Sequence, residues 1–226
     1  MIQMAYYGHS CFSLKLGGFQ VLIDPFVRGN PMATSIDLGD LKADFIFLTH
    51  GHGDHVGDVE SVADKNTPII ANFEVAGWFG ARGLNGLGMN HGGIWSGPLG
   101  KVRLVNAIHS SSLPDGSYGG NPCGFVFMLE AETFYISGDT ALTLDMKLIP
   151  DLCGAIDFAI LPVGGHFTMD ASDALKAAEF VQTKRVIGCH FDTFPPIKID
   201  HQAALDLFSH AGLMLKLPAI GEHFVF

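Results

Sequence analysis

Residues Thr49–Asp58 read Thr-His-Gly-His-Gly-Asp-His-Val-Gly-Asp and follow the strongly apolar stretch Ala43–Leu48. Such a stretch is typical of a strand buried on both faces of a sheet. Within six positions stand four side chains that can bind a metal ion, which are His50, His52, Asp54 and His55. The glycines between them disfavour a helix and permit unusual backbone angles, so we predict a loop that coils around a point. Loops at strand ends commonly carry active sites in α/β proteins.

This cluster predicts a metal site. Imidazole nitrogen and carboxylate oxygen suit zinc, manganese and iron as ligands. Side chains so close in sequence diverge, and four of them cannot easily surround one ion. We therefore expect two divalent metal ions, zinc before manganese or iron, with His50 and His52 on one ion and Asp54 and His55 on the other. The alternative, three imidazoles and a carboxylate packed together for no purpose, is the weaker interpretation.

Three further residues could complete the coordination of the two ions. His109, Asp139 and His190 each stand at the end of a predicted strand. Taken alone, a histidine after a strand is usually a surface or hydrogen-bonded residue, and Gly-Asp is common in turns. Because the same placement occurs three times beside the cluster at residues 50–55, metal ligation is the favoured interpretation.

The composition is that of an ordinary globular protein, with 226 residues, 48% hydrophobic and 16% charged. This length predicts a single domain over residues 1–226. The formal net charge of −10 disfavours nucleic acid as a partner, because such binding needs a basic face. A small molecule is the expected substrate, and the apolar composition leaves a homo-oligomer open.

No membrane span or signal peptide is expected. No apolar run approaches the roughly 20 residues that cross a bilayer, and the N-terminus has no basic segment before its first predicted strand. The four cysteines are scattered without a Cys-x-x-Cys pair. We therefore expect buried, reduced thiols and a cytoplasmic location.

The order of predicted elements indicates an α/β fold. Short strands dominate the first half, which also contains predicted helices near Asp58–Lys65 and at Glu74–Ala81. The second half alternates helix and strand, with predicted helices at Leu142–Leu152, at Ala171–Gln182 behind an Asp170 N-cap, and at His201–Ala211. This order suggests two mixed β-sheets packed face to face with helices outside.

The ligand pattern resembles the metallo-β-lactamase superfamily over nearly the whole chain. Its flanking segments resemble the branch that contains ascorbate-6-phosphate lactonase and many uncharacterised metal-dependent hydrolases. Those segments are Gly8-His9-Ser10, Leu-Ile-Asp-Pro-Phe at residues 22–26, Gly-Gly-His-Phe-Thr-Met at residues 164–169 and His-Phe-Asp-Thr-Phe-Pro at residues 190–195. The resemblance implies a four-layer αββα sandwich. It also implies the metal assignment, in which the first ion is held by His50, His52 and His109, the second by Asp54, His55 and His190, and both by Asp139.

These features predict a hydrolase that uses a bridging hydroxide between two metal ions to cleave a lactone, ester or phosphate ester. Two dications, two carboxylates and one hydroxide leave about one positive charge, so an anionic substrate is expected. Asp54 would orient the hydroxide and could carry a proton to the leaving group. His9 and His166, the latter beside Thr168, are candidate catalytic residues of the pocket, with an ordinary turn imidazole as the alternative for His9.

Two residues near the first strands carry secondary predictions. Asp24 is expected to brace the metal loop through hydrogen bonds. Arg28 is the nearest cation and could meet a phosphate or carboxylate, although an exposed arginine without a task is the more ordinary interpretation.

Two other functions stay open at this point. One is phosphodiester cleavage in nucleic acid or phospholipid. The other is a non-catalytic metal-binding or sensory module, which the full set of seven ligands disfavours, because structural metal sites are closed and usually rich in cysteine.

Overall fold

The computed structural model describes residues 1–226, and the chain divides into two compact units. The first unit consists of Met1–Asn90, Ser110–Pro122 and Ala219–Phe226, and the second of His91–His109 and Cys123–Pro218. Each unit contains one seven-stranded mixed sheet and three α-helices. The α/β character and the two mixed sheets expected from the sequence are therefore present.

The strands of the first unit are β1 (Gln3–Gly8), β2 (Cys11–Leu16), β3 (Phe19–Ile23), β4 (Phe45–Phe47), β5 (Pro68–Asn72), β6 (Asn85–Met89) and β14 (His223–Val225). Their spatial order is β14-β1-β2-β3-β4-β5-β6. Pairing is antiparallel from β14 to β3 and parallel from β3 to β6. Because parallel strands end at the same edge, the residues that follow β3, β4 and β5 lie beside one another.

A tight hairpin at Gly17-Gly18 joins β2 to β3. Strand β2 pairs with β3 so that Leu16 lies opposite Phe19, which leaves the two glycines as the turn. Their φ angles are 56° and 91°. A type I′ turn needs positive φ at both central residues, and glycine adopts that conformation at no steric cost.

Three helices belong to the first unit, α1 (Gly53–Val56), α2 (Val59–Val62) and α3 (Phe73–Gly80). Helix α3 begins where the Asn72 side chain accepts a hydrogen bond from the N–H of Val75 at 2.8 Å, a stabilising N-cap. Its inner face buries Val75 and Phe79 in the same core as Ile46 of the sheet. Burial of each such side chain contributes roughly 1.5–3 kcal/mol, which fixes α3 beside the strand ends.

The predicted metal loop contains one helical turn that the sequence interpretation missed. The carbonyl of His52 accepts hydrogen bonds from the N–H groups of His55 and Val56 at 2.9 and 3.0 Å, which starts α1. Tertiary packing rather than helix propensity holds so short a turn, so Gly53 does not prevent it. Glycine is required at position 57, because a Cβ there would lie 2.6 Å from the carbonyl oxygen of Gly53.

Helix α2 is shorter than the helix predicted near Asp58–Lys65. It ends at Val62. The Asp64 carboxylate accepts hydrogen bonds from the N–H groups of Asn66 and Thr67 at 2.6 and 3.0 Å. This local turn competes with continuation of the helix.

The strands of the second unit are β7 (Ile94–Gly97), β8 (Gly100–Asn106), β9 (Cys123–Met128), β10 (Thr133–Ile136), β11 (Phe158–Pro162), β12 (Arg185–Cys189) and β13 (Met214–Lys216). Their order is β13-β12-β11-β10-β9-β8-β7, with antiparallel pairing from β7 to β10 and parallel pairing from β10 to β13. Phe127, Phe134 and Phe158 stack across three adjacent strands with ring centroids 4.7 and 4.8 Å apart. This stack anchors the middle of the sheet.

The helices of the second unit are α4 (Leu148–Cys153), α5 (Ala171–Phe180) and α6 (His201–His210). Asp170 is the N-cap of α5, as predicted, and accepts hydrogen bonds from the N–H groups of Ser172 and Asp173 at 2.8 and 2.9 Å. The helix predicted over Leu142–Leu152 is a 3₁₀ turn followed by α4, because Pro150 has no N–H to donate to the preceding turn. No helix of the structure combines the length and the apolar character that crossing a bilayer requires.

Candidate metal centre

The predicted metal loop follows β4, and Asp24 follows the neighbouring parallel strand β3. The N–H of Asp24 donates to the carbonyl of Phe47 at 3.1 Å, which holds the two strand ends together. Asp24 is 1% exposed and has a φ of 43°. Aspartate tolerates this left-handed backbone better than most residues. The backbone therefore turns the Asp24 carboxylate toward the start of the metal loop.

Asp24 braces the metal loop, as the sequence predicted. One carboxylate oxygen accepts the N–H of Thr49 at 2.8 Å, and the other accepts the Thr49 hydroxyl at 2.7 Å and Nδ1 of His55 at 2.8 Å. An ionised carboxylate only accepts hydrogen bonds, so Nδ1 of His55 carries its proton. Nε2 of His55 is then the ring nitrogen with a lone pair for a metal ion.

The same carboxylate fixes the tautomer of His50 through Thr49. The Thr49 hydroxyl gives its single hydrogen to Asp24 and lies 3.1 Å from Nδ1 of His50. It must therefore accept from Nδ1 of His50, which leaves the lone pair on Nε2. That Nε2 lies 2.9 Å from Nδ1 of His52, and the His50 and His55 rings are 4.1 Å apart. Three predicted ligands thus meet in one place, where His50 and His55 are buried and His52 is partly exposed.

His9 lies beside the metal loop and contacts Asp54. It occupies the turn between β1 and β2, is 1% exposed, and places Nε2 3.2 Å from Oδ2 of Asp54. The ligand-capable atoms of His9, Asp54 and His55 lie within 4.8 Å of one another. The ring of Phe26 packs edge-on against His9 with the centroids 5.6 Å apart. The structure therefore brings His9 together with two predicted ligands.

Asp58 is a supporting residue that the sequence interpretation took only for the start of a helix. It is buried, and its carboxylate accepts hydrogen bonds from the N–H groups of Val27 and Arg28 at 2.6 and 2.9 Å. It thereby ties the segment after Asp24 to the residues that follow the metal loop. Its place three positions after His55 is the signal that could have drawn attention to it.

Ser111 is the second supporting residue that was missed. Its hydroxyl accepts the N–H of Gly51 at 3.0 Å and donates to the carbonyl of Gly119 at 2.9 Å. The hairpin formed by residues 111–119 is also anchored by Asp115, which accepts from the Trp78 indole at 2.7 Å. Hydrogen bonds from Ser117 and Trp78 hold the pKa of the Asp115 carboxyl well below its usual range. A serine within a run of serines gives no sequence signal for this role.

In the second unit, the other three predicted ligands lie close together, with His109 and His190 near the carboxylate of Asp139. Oδ2 of Asp139 lies 2.9 Å from Nε2 of His190 and 3.7 Å from Nε2 of His109. The neighbouring Thr140 hydroxyl accepts the N–H of Ile108 at 2.9 Å, which fixes the chain just before His109. The ends of β8, β10 and β12 thus deliver their predicted ligands to one place.

His166 follows β11 but is not joined to that carboxylate. Its imidazole is exposed and packs against the ring of Phe167 at a centroid distance of 4.5 Å. The carbonyl of Thr140 accepts the N–H of Met169 at 3.0 Å, so the turn that carries His166 and Thr168 is held near Asp139. Arg28 is exposed, and only its backbone N–H is hydrogen-bonded.

Positive φ angles concentrate at candidate residues. Four of the six residues other than glycine with positive φ are His9, Asp24, His166 and His190, with values of 57°, 43°, 56° and 54°. A left-handed backbone costs about 1–3 kcal/mol at a residue other than glycine and is typical of functional sites. Because none of these residues is a glycine, the sequence contains no local signal of the strain.

Residues 3–190 match the family described as "Beta-lactamase superfamily domain". A UPF0173 metal-dependent hydrolase of Flavobacterium johnsoniae is 50% identical over 222 residues, which cover 98% of each chain. One from Methylacidiphilum infernorum is 43% identical and covers 99% of this chain and 100% of its own. The superfamily expected from the sequence is therefore confirmed.

Solved structures agree with this membership. Igni18, a metallo hydrolase from Ignicoccus hospitalis, is 31% identical with a TM-score of 0.88, and the match covers 100% of this chain and 99% of that one. An isothiocyanate hydrolase from Delia radicum gut bacteria, 20% identical with a TM-score of 0.80 and coverage of 99% and 98%, shares the fold. The predicted fold class is thereby confirmed, and the chain belongs to the UPF0173 metal-dependent hydrolases of the β-lactamase superfamily.

Proposed function

We propose that this metal-dependent hydrolase holds two divalent metal ions, zinc before manganese or iron, and cleaves a small anionic lactone, ester or phosphate ester. His50, His52 and His109 would hold the first ion, and Asp54, His55 and His190 the second. Asp139 would serve both. This assignment follows the ligand pattern of the superfamily.

The observation that carries the proposal is the hydrogen-bond chain from Asp24. It acts on His55 directly and on His50 through Thr49, and it leaves Nε2 of each ring with a lone pair. Metal-binding histidines usually give their other ring N–H to such a partner, which fixes the tautomer and raises the basicity of the ligand. The donor set of imidazole and carboxylate is the one that zinc accepts.

Two spacings within the units support the assignment. Nε2 of His50 and Nδ1 of His52 are 2.9 Å apart. Two nitrogens bound to one tetrahedral zinc, with bonds of about 2.0–2.1 Å, are separated by a similar distance of about 3.3 Å. One oxygen of Asp139 is near both His109 and His190. A carboxylate that serves two ions can use that arrangement.

Bound divalent ions supply an activated water and polarise the electrophilic carbonyl or phosphoryl group. The chain's own residues would do the rest. Asp54, held at 3.2 Å by His9, would orient the attacking water and carry its proton to the leaving group. His9 would set the direction of that carboxylate, and exposed His166 would contact the substrate.

An anionic substrate is favoured by the local charge. Two dications outweigh the two carboxylates of Asp54 and Asp139 and one hydroxide by about one positive charge. The site would therefore be positive within a chain of net charge −10. Such a local field draws anions despite the overall charge.

Elemental analysis of protein purified without added metal tests the metal site. We expect about two equivalents per chain, a loss in His52→Ala, and no change in His223→Ala, which removes an exposed histidine of the same unit. Turnover of lactones, simple esters and bis(p-nitrophenyl) phosphate is then compared with the ion found. Well under one equivalent after reconstitution, with no loss in His52→Ala, would overturn the proposal.

A further inference from the structure

A cavity opens in the first unit, in the segment that follows Asp24. It has a volume of about 480 Å³ and is lined by residues of 27–38, among them Arg28, Asn30, Thr34 and Asp37. A cavity of this size lies within the range of small-ligand sites. The metal-site proposal does not use any of these four side chains.

Asn30, one of the residues that line the cavity, has a buried amide group with an unused donor. Asn30 is 3% exposed, and its Oδ1 accepts the N–H of Met32 at 2.9 Å. Because a backbone N–H needs an acceptor, that contact assigns the oxygen, and the other amide atom is the NH₂ group. This Nδ2 is buried and has no hydrogen-bond partner. A buried donor without a partner is unfavourable, and an acceptor brought by a ligand would remove that cost.

Arg28 adds a cation at the same cavity. Its backbone N–H is fixed by Asp58 at 2.9 Å, while its exposed guanidinium has neither a hydrogen bond nor an ion pair in this structure. A guanidinium presents five N–H donors in a planar fork that matches carboxylate and phosphate. The Thr34 hydroxyl can donate as well.

One residue of the cavity wall, Asn30, contacts the segment that carries His9. Asn30 Nδ2 packs directly on Gly8, where an added Cβ would lie 2.6 Å from it. The next residue, His9, contacts Asp54 at 3.2 Å. The segment that carries Arg28 begins at Asp24, which braces the metal loop.

We propose that Arg28, Asn30 and Thr34 form an anion-binding subsite that holds the phosphate or carboxylate end of the substrate. The inference rests on the proposed function and narrows its substrate class. Asp37, on the same cavity, would accept a hydrogen bond from a hydroxyl of the substrate, which favours an anionic group with a neighbouring hydroxyl. A water molecule bound to Asn30 in place of an anion is the competing occupant.

Matched substrates test the subsite on the metal-loaded enzyme. One series consists of p-nitrophenyl esters whose acyl chain ends in a carboxylate, at several chain lengths, and the other of the same esters with that carboxylate methylated. We expect Arg28→Gln to raise KM for the best carboxylated ester about tenfold, with no change for its methylated counterpart. Arg28→Lys should fall between, because it keeps the charge and loses the fork. Lys42→Gln, the same charge change on an exposed residue of this unit, should alter neither KM.

Inorganic phosphate gives a readout that does not need turnover. Phosphate should raise the midpoint of thermal unfolding of the metal-loaded enzyme, and that shift should be smaller in Arg28→Gln and in Asn30→Asp but unchanged in Lys42→Gln. Any phosphate bound by the metals is common to all these proteins, so the difference reports the subsite. The ratio of KM for the carboxylated ester to KM for the methylated ester should differ between the variants and the wild type. If that ratio and the phosphate shift were both unchanged in the variants, the inference would be overturned, and a bound water at Asn30 would be the remaining explanation. Absence of turnover in the wild type would overturn the proposed function, while the phosphate shift still decides the subsite.

Discussion

His9 and Asp54 stand 45 residues apart in the sequence, yet Nε2 of one lies 3.2 Å from Oδ2 of the other. The left-handed turn between β1 and β2 places the imidazole there, and burial keeps it from competing water. A carboxylate with a fixed hydrogen-bond partner has fewer orientations than one in solvent. The relationship gives the proposed proton carrier a defined direction.

Replacement of His9 by asparagine should slow the chemical step and leave metal binding intact. Asparagine tolerates the φ of 57° found at this position but is too short to reach Asp54. We expect kcat to fall about a hundredfold, the size typical for a lost acid–base partner, with KM within about twofold. Steady-state kinetics and metal analysis on the same preparations measure both. A variant with lower metal content and unchanged kcat per bound metal would assign His9 to the coordination shell instead.

Replacement of Asp24 by asparagine should lower the metal affinity of the site, although Asp24 is not one of the proposed ligands. Both oxygens of the carboxylate accept hydrogen bonds, from Thr49 and from Nδ1 of His55. An amide has only one oxygen that can accept, and its NH₂ group can only donate. Loss of such a partner typically lowers metal affinity about 10- to 100-fold. Competition with a chelator of known affinity measures the change, and Asp40→Asn, an exposed carboxylate of the same unit, is the control. Equal affinities in the three proteins would show that the tautomers are fixed in another way.

The strand ends and the candidate metal ligands could be predicted from the sequence because both follow from local patterns. An apolar stretch followed by closely spaced histidines marks a strand and a metal loop without knowledge of the rest of the chain. Asp58 and Ser111 escaped prediction because their roles depend on partners 31 and 60 residues away. The left-handed backbone at His9 and Asp24 escaped for the same reason, since tertiary contacts impose it. The single turn of α1 is likewise a product of packing rather than of helix propensity.

Removal of the Asp170 cap should destabilise the second unit and reduce the dependence of its stability on pH in the acidic range. Hydrogen bonds from the backbone of Asp173 and the side chain of Ser172 lower the pKa of Asp170. A depressed carboxyl pKa stabilises the fold above the unfolded-state value near 3.9 and loses this effect as pH falls through the folded-state value. We expect Asp170→Ala to lower the free energy of unfolding by about 1 kcal/mol at pH 7, and Asp170→Asn, also a good cap, by less. Urea unfolding at pH 7 and pH 3 measures this, and a deficit of Asp170→Ala that is as large at pH 3 as at pH 7 would contradict the account.

Thiol labelling should find one slowly reacting cysteine in the folded chain. Cys11, Cys123 and Cys189 are buried, and burial raises the pKa of the Cys11 thiol to about 12. Cys153 is partly exposed, and burial raises its pKa less strongly. Since the thiolate is the reactive form, labelling of Cys153 by a disulfide reagent should be slow at pH 8 and faster as pH rises. Cys153→Ser should abolish the native-state reaction, and rapid labelling of a second thiol before unfolding would contradict the assigned burial.

The prediction of a single domain can be tested with the two tryptophans, because Trp78 lies in the first unit and Trp95 in the second. The chain passes from one unit to the other after residues 90, 109, 122 and 218, so neither unit is a continuous segment of the chain. We therefore expect Trp78→Phe and Trp95→Phe, each with one remaining tryptophan, to give urea midpoints that coincide with those from circular dichroism in the same variant. If ligands from both units share the ions, metal at 100 times its Kd should raise both urea midpoints together. The corresponding gain in the free energy of unfolding is about 2.7 kcal/mol per site. Two separate midpoints, of which metal moves only one, would mean that the units fold independently and that the four ligands of the first unit bind metal without the other three.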